Sequence, residues 1–302
     1  MKNMINCADW PEPAPRVLAL GFFDGVHLGH RALLKEALAW GRSEGLPVWV
    51  VTFAQHPLSL LCPERMPGLL TTRPEREAIL ARLGVDGMVE LPFTRALSQM
   101  PPEGFLQRLL AMGARGLVAG ENYSFGRLGA GHAAELVSGP VPARIVPMTP
   151  WGGAPVSSSR IRQALAEGET ERAAALLGAA YGFTGVVTRG KQLGRTLDFP
   201  TVNLLPGPEK ALPALGVYTG WVNDAPAVVN VGPNPTVEVA APVKVEAHVL
   251  SGAVPDYGEM IRISLGRKLR GEVKFPSVEA LRHQVMSDKE QAKAWHEKNE
   301  LE

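Results

Sequence analysis

The sequence predicts an α/β domain built on a parallel sheet, followed by a smaller antiparallel barrel or sandwich that closes with one helix. Three observations carry this. Up to about residue 180, short apolar runs alternate with amphipathic stretches of helical spacing, the pattern of βαβ units. After Tyr181 the alternation gives way to short strand-like stretches broken by Gly, Pro and Asn. The last stretch, SVEALRHQVMSDKEQAKAWHEKNE, is charged and amphipathic, as a helix lying on a sheet would be.

In order along the chain, VLAL (17–20), PVWVVTF (47–53), GMVELPF (87–93), GLVAG (116–120) and RIVPM (144–148) read as buried strands. Between them HRALLKEALAWG from His30 onward, RPEREAILARLG and PPEGFLQRLLAMG carry apolar residues at helical spacing. A parallel sheet of this kind binds its ligands beyond the carboxyl ends of the strands. Two short helical stretches, SRIRQALAEG and ERAAALLG, end the first half. FTGVVTRG, GVYTGWV, PAVVNVG, KVEAHVLSG and MIRISLG are then the strands of the second. The divide falls near 180–183, giving domains 1–180 and 181–302 with no long linker and no repeat.

Composition narrows the function. With 31 basic and 30 acidic residues in 302, the formal net charge is +1, which argues against a broad nucleic-acid or membrane surface while leaving room for a local phosphate pocket. Cys7 and Cys62 are the only cysteines, too few for a disulfide scaffold and without metal-type spacing. Neither a signal-peptide pattern nor a run of about 18 apolar residues is present, so a soluble cytoplasmic protein is expected.

The stretch GFFDGVHLGH (21–30) joins the first strand to the first helix. Gly21 and Gly25 permit torsions or close approaches that a side chain would forbid. The unpaired N–H groups of the following helix make an anion site. His27 and His30, three apart, would share a helix face and could both donate to phosphate oxygens. A bare HxxH also fits a pair of surface histidines, and zinc would need a third ligand that does not lie nearby. The flanking Phe23, Asp24 and Gly29 favour a nucleotide.

Three further stretches belong to the first half. SSSRIR (157–162) combines helix N-cap residues with arginines suited to phosphate oxygens, or is an ordinary capped helix. GENYSFG (120–126) offers Asn122 to a ribose or base, while Tyr123 and Phe125 could wall an aromatic ring or simply be core. QHP (55–57) places His56 after a strand, again at a carboxyl end. In the second half GKQLGRTLDFPTVN (190–203) is a glycine-punctuated loop whose Thr201 and Asn203, two apart in extended chain, can point the same way and supply oxygen ligands to Mg²⁺. Glu246 lies in the alternating strand KVEAHVL.

These motifs together resemble the prokaryotic bifunctional riboflavin kinase/FAD synthetase family, over about residues 17 to 290. The resemblance implies a Rossmann-like nucleotidyltransferase domain followed by a riboflavin-kinase β-barrel. GFFDGVHLGH resembles the family's histidine signature, so His27 and His30 would hold the ATP phosphates as an FMN phosphate oxygen attacks the α-phosphorus, with Gly21, Phe23, Asp24, Gly25 and Asn122 around the nucleotide. SSSRIR resembles its second phosphate motif, with Ser159 and Arg162 on the departing pyrophosphate, and His56 falls on a position linked to nucleotide or metal. In the kinase half Gly190, Gly194 and Arg195 would lie over the ATP phosphates, Thr201 and Asn203 at Mg²⁺, and Glu246 would be the base for the ribityl 5′-hydroxyl. The implied small-molecule partners are riboflavin, FMN, FAD and ATP, with Mg²⁺ as cofactor; no nucleic acid or membrane is implied, and self-association is left open.

This chain departs from the family's usual pattern at Asp198, where Gly is usual, at Val202, where Ala is usual, and at Val237, where Phe is often found. Asp198 would repel ATP phosphates or add a metal ligand. The alternative readings are therefore an adenylyltransferase with an impaired kinase, or a flavin-binding module without catalysis.

Overall fold

The computed structural model describes residues 5–7, 9–188, 201–233 and 243–299. By its contacts the chain divides into two compact units, Met1–Ser158 and Ser159–Glu302.

The first unit is built on six parallel strands: β1 (Ile5–Cys7), β2 (Arg16–Leu20), β3 (Val48–Phe53), β4 (Gly87–Leu91), β5 (Ala114–Gly120) and β6 (Ala143–Val146). Their order across the sheet is β1-β4-β3-β2-β5-β6, every pair parallel. The chain moves outward from β2 to β3 and β4, then returns to β5 on the other side of β2. That reversal makes a crevice at the carboxyl ends of β2 and β5, the place where sheets of this kind take ligands.

Strand β2 is buried along its whole length because helices cover both faces of the sheet. Val17 and Ala19 pack under Leu33, Leu34, Ala37 and Trp40 of α1 (Leu28–Glu44). Leu18 and Leu20 face Phe105 and Leu109, which belong to a helix (Pro102–Ala111) on the opposite side. Helix α2 (Arg73–Arg82) begins with a capping box in which Thr72 and Glu75 satisfy each other's backbone N–H.

Several boundaries differ from expectation for simple reasons. GMVELPF leaves the sheet at Leu91 and RIVPM at Val146, each just before a proline that has no N–H to pair. Helix α1 starts at Leu28 rather than His30, because His27 caps it with extended torsions. Strand β1, three residues at the sheet edge, is too short to announce itself by periodicity.

The second unit opens with α3 (Ser158–Glu167), which starts at the last residue of the first unit, and α4 (Thr170–Leu177). The amide of Ala214 donates to the Leu165 carbonyl (2.8 Å) and the Thr170 hydroxyl donates to the Gly266 carbonyl, so both helices join the barrel. Six antiparallel strands follow: β7 (Gly182–Val186), β8 (Thr201–Leu204), β9 (Gly216–Val222), β10 (Ala225–Pro233), β11 (Val243–Val249) and β12 (Met260–Arg270). They run in the order β7-β12-β9-β10-β11-β8, and the Thr188–Asn203 bridge brings the two ends together into a nearly closed barrel. Helix α5 (Val278–Asn299) lies on β9, β10 and β12, with Trp295 and His296 edge-on to Trp221 and Arg270 paired to the buried Asp288 at 2.8 Å.

Candidate active sites

The turn from β2 to α1 sits at the crevice between β2 and β5. Its backbone is unusual: Phe23 (φ 56°), Gly25 (φ 81°) and Val26 (φ 43°) all adopt left-handed torsions. Glycine takes this readily, but a phenylalanine and a β-branched valine do so at a cost of about 1–3 kcal/mol each, which surrounding contacts must offset. Gly21 is needed for a different reason, since a Cβ there would meet the Phe23 ring at 3.1 Å. Phe23 itself is fully buried in the core and touches His30, ring centres 5.1 Å apart.

The turn delivers two stacked imidazoles. His27 and His30 lie parallel with centroids 3.7 Å apart and 12° between planes. His27 Nδ1 accepts the His30 backbone N–H at 3.3 Å, which leaves the proton of the neutral ring on Nε2. His30 Nδ1 is buried and has no hydrogen-bond partner among the described residues. Burial, and secondarily the neighbouring His27, hold the His30 imidazole well below its ordinary pKa, so it works as a neutral ring. Ring N–H donors at a helix N-terminus suit a polyanionic phosphate.

Several groups outside the quoted turn hold it in place. The Phe22 carbonyl accepts from Thr52 Oγ1 at 3.0 Å and from Arg76 Nη1 at 3.4 Å. Arg76 is itself buried and paired to the buried Glu90, which also meets Arg73. Arg31 Nε donates to the Val26 carbonyl at 3.1 Å, and Ser158 Oγ to the Asp24 carbonyl at 3.0 Å. The Asp24 carboxylate, 3% exposed, accepts the amides of Leu70 (2.8 Å) and Thr71 (3.1 Å). Thr71 Oγ1 in return accepts the Gly25 N–H at 3.0 Å. None of Thr52, Thr71, Arg76 or Glu90 is singled out by the sequence, and Ser158 only as part of SSSRIR; the one further local signal is the capping box beginning at Thr72.

His56 and Asn122 follow strands of the same sheet at their carboxyl ends. His56 follows β3, its Nδ1 accepting the Leu58 N–H at 3.1 Å while its ring meets Phe22 edge-on at 4.9 Å. Asn122 follows β5 and is exposed. Tyr123 stacks on Phe125 at 5.9 Å, and Phe125 belongs to the core beside Phe105. Ser159 and Arg162 lie on α3, one and four residues after Ser158.

The second site is set by strand register. Asn203 on β8 pairs with Glu246 on β11, which pairs with Asn230 on β10, so the three side chains form a row across neighbouring strands. The adjacent row on that face holds Thr201 opposite His248. Alternate residues Val202, Ala247 and Val229 point the other way into the barrel interior, all 2% exposed or less. Val202, one of the departures from the family pattern, is thus a matter of core volume and not of the polar face. The oxygen donors of Thr201 and Asn203 fit a hard cation such as Mg²⁺ better than a softer metal. Gly190, Gly194, Arg195, Asp198 and Val237 lie outside the described residues.

Comparison with known proteins gives a consistent result. A family model described as FAD synthetase matches residues 10–160, and one described as riboflavin kinase matches residues 177–296. The chain is 35% identical over 309 residues to a bifunctional riboflavin kinase/FMN adenylyltransferase of Listeria monocytogenes, covering 99% of this chain and 98% of that protein. The protein of the same name from Escherichia coli strain K12 is 35% identical over 286 residues, covering 90% of each chain. A solved structure named as a macrolide-efflux protein from Streptococcus pneumoniae superposes with a TM-score of 0.87 at 31% identity, over 97% of this chain and 99% of that one. Among the described residues no helix here is long and apolar enough to cross a membrane.

Proposed function

The chain belongs to the family of bifunctional riboflavin kinase/FMN adenylyltransferases, phosphorylating riboflavin with ATP and adenylylating FMN to FAD, and we propose that the histidine turn and the barrel row divide these two reactions between them. On this reading residues 1–180 carry adenylyl transfer and residues 181–302 carry the kinase.

For adenylyl transfer, an FMN phosphate oxygen displaces pyrophosphate from the α-phosphorus of ATP. His27, through its Nε2–H, and the neutral His30 donate to the phosphate oxygens on which charge accumulates, aided by the N-terminus of α1. Ser159 and Arg162 hold the departing pyrophosphate, Asn122 the nucleoside, and His56 a nucleotide or metal-linked contact. No covalent intermediate is required, and rate comes from positioning and electrostatic stabilisation. The stacked imidazole pair at a helix start, with His30 Nδ1 buried, is the observation that carries this assignment.

For the kinase, Glu246 accepts the proton of the ribityl 5′-hydroxyl as that oxygen takes the terminal phosphoryl group of ATP. Thr201 and Asn203 would hold Mg²⁺, which when bound neutralises phosphate charge. Gly190, Gly194 and Arg195 cover the ATP phosphates. The cross-strand pairing of Asn203 with Glu246 supports this reading. On this reading the enzyme works in the cytoplasm.

A chromatographic time course from riboflavin, ATP and Mg²⁺, run beside one started from FMN, tests the assignment. FMN that rises and then gives way to FAD is the expected result. FAD from FMN with riboflavin untouched would confine the chain to adenylyl transfer, and Asp198→Gly is then the reversion to make.

A further inference from the structure

Resting on the assignment of the histidine turn to adenylyl transfer, we propose that Asp24 and Thr71 are a pair of positioning residues: Asp24 does not bind nucleotide but latches the turn to residues 70–71, and Thr71 closes the latch from the other side. The turn carries three left-handed residues among four, and such a backbone persists only where its surroundings over-determine it. The latch is reciprocal. Asp24 Oδ1 accepts the Leu70 and Thr71 amides at 2.8 and 3.1 Å, while Thr71 Oγ1 accepts the Gly25 amide at 3.0 Å. With its oxygen used as an acceptor, the Thr71 hydroxyl directs its own proton toward Asp24 Oδ1, 3.5 Å away.

Two features tie this latch to the imidazoles. On one side, Thr71 immediately precedes the Thr72 capping box, so the latch anchors the turn to a rigid helix start. On the other, His27 follows Val26 directly and caps α1, so the torsions at residues 23–26 set where both rings stand. Both latch residues are buried, Asp24 at 3% and Thr71 at 7% exposure, and the carboxylate oxygen facing the 70–71 segment already has two backbone donors.

The test uses the full chain and four variants. Thr71→Val keeps the shape and removes the acceptor, leaving the Gly25 N–H unsatisfied; Thr71→Ser keeps the hydroxyl. Displacement of the rings predicts a fall of about tenfold to a hundredfold in kcat for FAD formation from FMN, with KM for FMN and ATP little changed. Thr71→Ser restores the rate to near wild type, and riboflavin phosphorylation is unaffected in both. Should Thr71→Val abolish the melting transition of the first unit, Thr71→Ala removes the same acceptor without the buried methyl and is held to the same expectation. Wild-type kcat in the variant lacking the hydroxyl, an equal defect in Thr71→Ser, or a defect confined to KM overturns the proposal. A His30→Ala control separates the two ideas: if that variant still makes FAD, the site assignment falls and the latch with it, whereas an inactive His30→Ala beside a fully active Thr71→Val removes the latch alone.

Discussion

The two sites of this chain are made by opposite means. In the first unit the two candidate rings stand on a turn that costs conformational energy and is held by hydrogen bonds from segments 30 to 134 residues away in sequence, such as Ser158 to Asp24 and Thr52 to Phe22. In the barrel the candidate row costs no unusual torsion among its described residues; Asn203, Glu246 and Asn230 stand side by side because antiparallel register places them so. A site of the first kind depends on distant supports, whereas a site of the second kind depends on strand pairing and tolerates change elsewhere.

The sharpest way to break this comparison is to remove one group from each site. His30→Ala should lower FAD formation from FMN by about 10²–10³-fold, the loss typical of one positioned donor, and leave FMN formation near normal. Glu246→Gln should lower riboflavin phosphorylation by about 10²–10⁴-fold and leave FAD formation from supplied FMN intact. Assaying each variant for both products checks the division; a single change that removes both activities from a folded protein would contradict it.

Next in size is the support beneath the turn. Glu90→Gln leaves the buried Arg76 without its counter-charge and should cost the first unit about 3–5 kcal/mol, read from urea unfolding. Because Arg76 also donates to the Phe22 carbonyl, FAD formation should fall with stability while the kinase does not.

A smaller effect separates the sites by pH. Folding holds His30 below its ordinary pKa of 6.5, so above that value the fold bears no proton-linked cost from this ring. As pH drops through about 6.5 the unfolded chain takes up a proton that the folded site refuses, and stability falls by at most about 1.4 kcal/mol per pH unit until the folded ring titrates. His30→Asn should flatten this acid-side slope in denaturation curves measured from pH 7 to 5. Smallest of all, Thr72→Ala removes the cap of α2 and should cost about 1 kcal/mol of first-unit stability without lowering the kinase rate.

What could be read in advance follows the same contrast. Alternation along VEAHV and TVNL places Glu246, Thr201 and Asn203 on the polar face, since period-2 patterning is local and survives folding. The five longer strands of the parallel sheet and the helices between them are equally plain, because continuous burial leaves continuous apolar runs, while the three-residue β1 is not. The strand-to-helix turn bearing the two histidines was legible, yet its construction was not. HxxH suggested two residues on one helical face; His27 instead caps the helix and reaches His30 by stacking. The partners of Asp24 lie 46 and 47 residues onward in an ordinary-looking LTT, and no local pattern encodes so distant a hydrogen bond.

The closure of the barrel carries one more consequence. Thr188 donates both its amide (2.8 Å) and its hydroxyl (3.2 Å) to the carbonyl of Asn203, so the residue that faces Glu246 with its side chain also fastens the seam with its backbone. Opening of that seam is a local event, cheaper than global unfolding, and it withdraws the carboxamide as it breaks the bridge. Amide hydrogen exchange at Thr188, measured at fixed pH and temperature, therefore reports how often the seam opens: a change that weakens the bridge should speed exchange there before the rest of the barrel loses protection, and under the proposed assignment FMN production falls once the open form is a large share of the population.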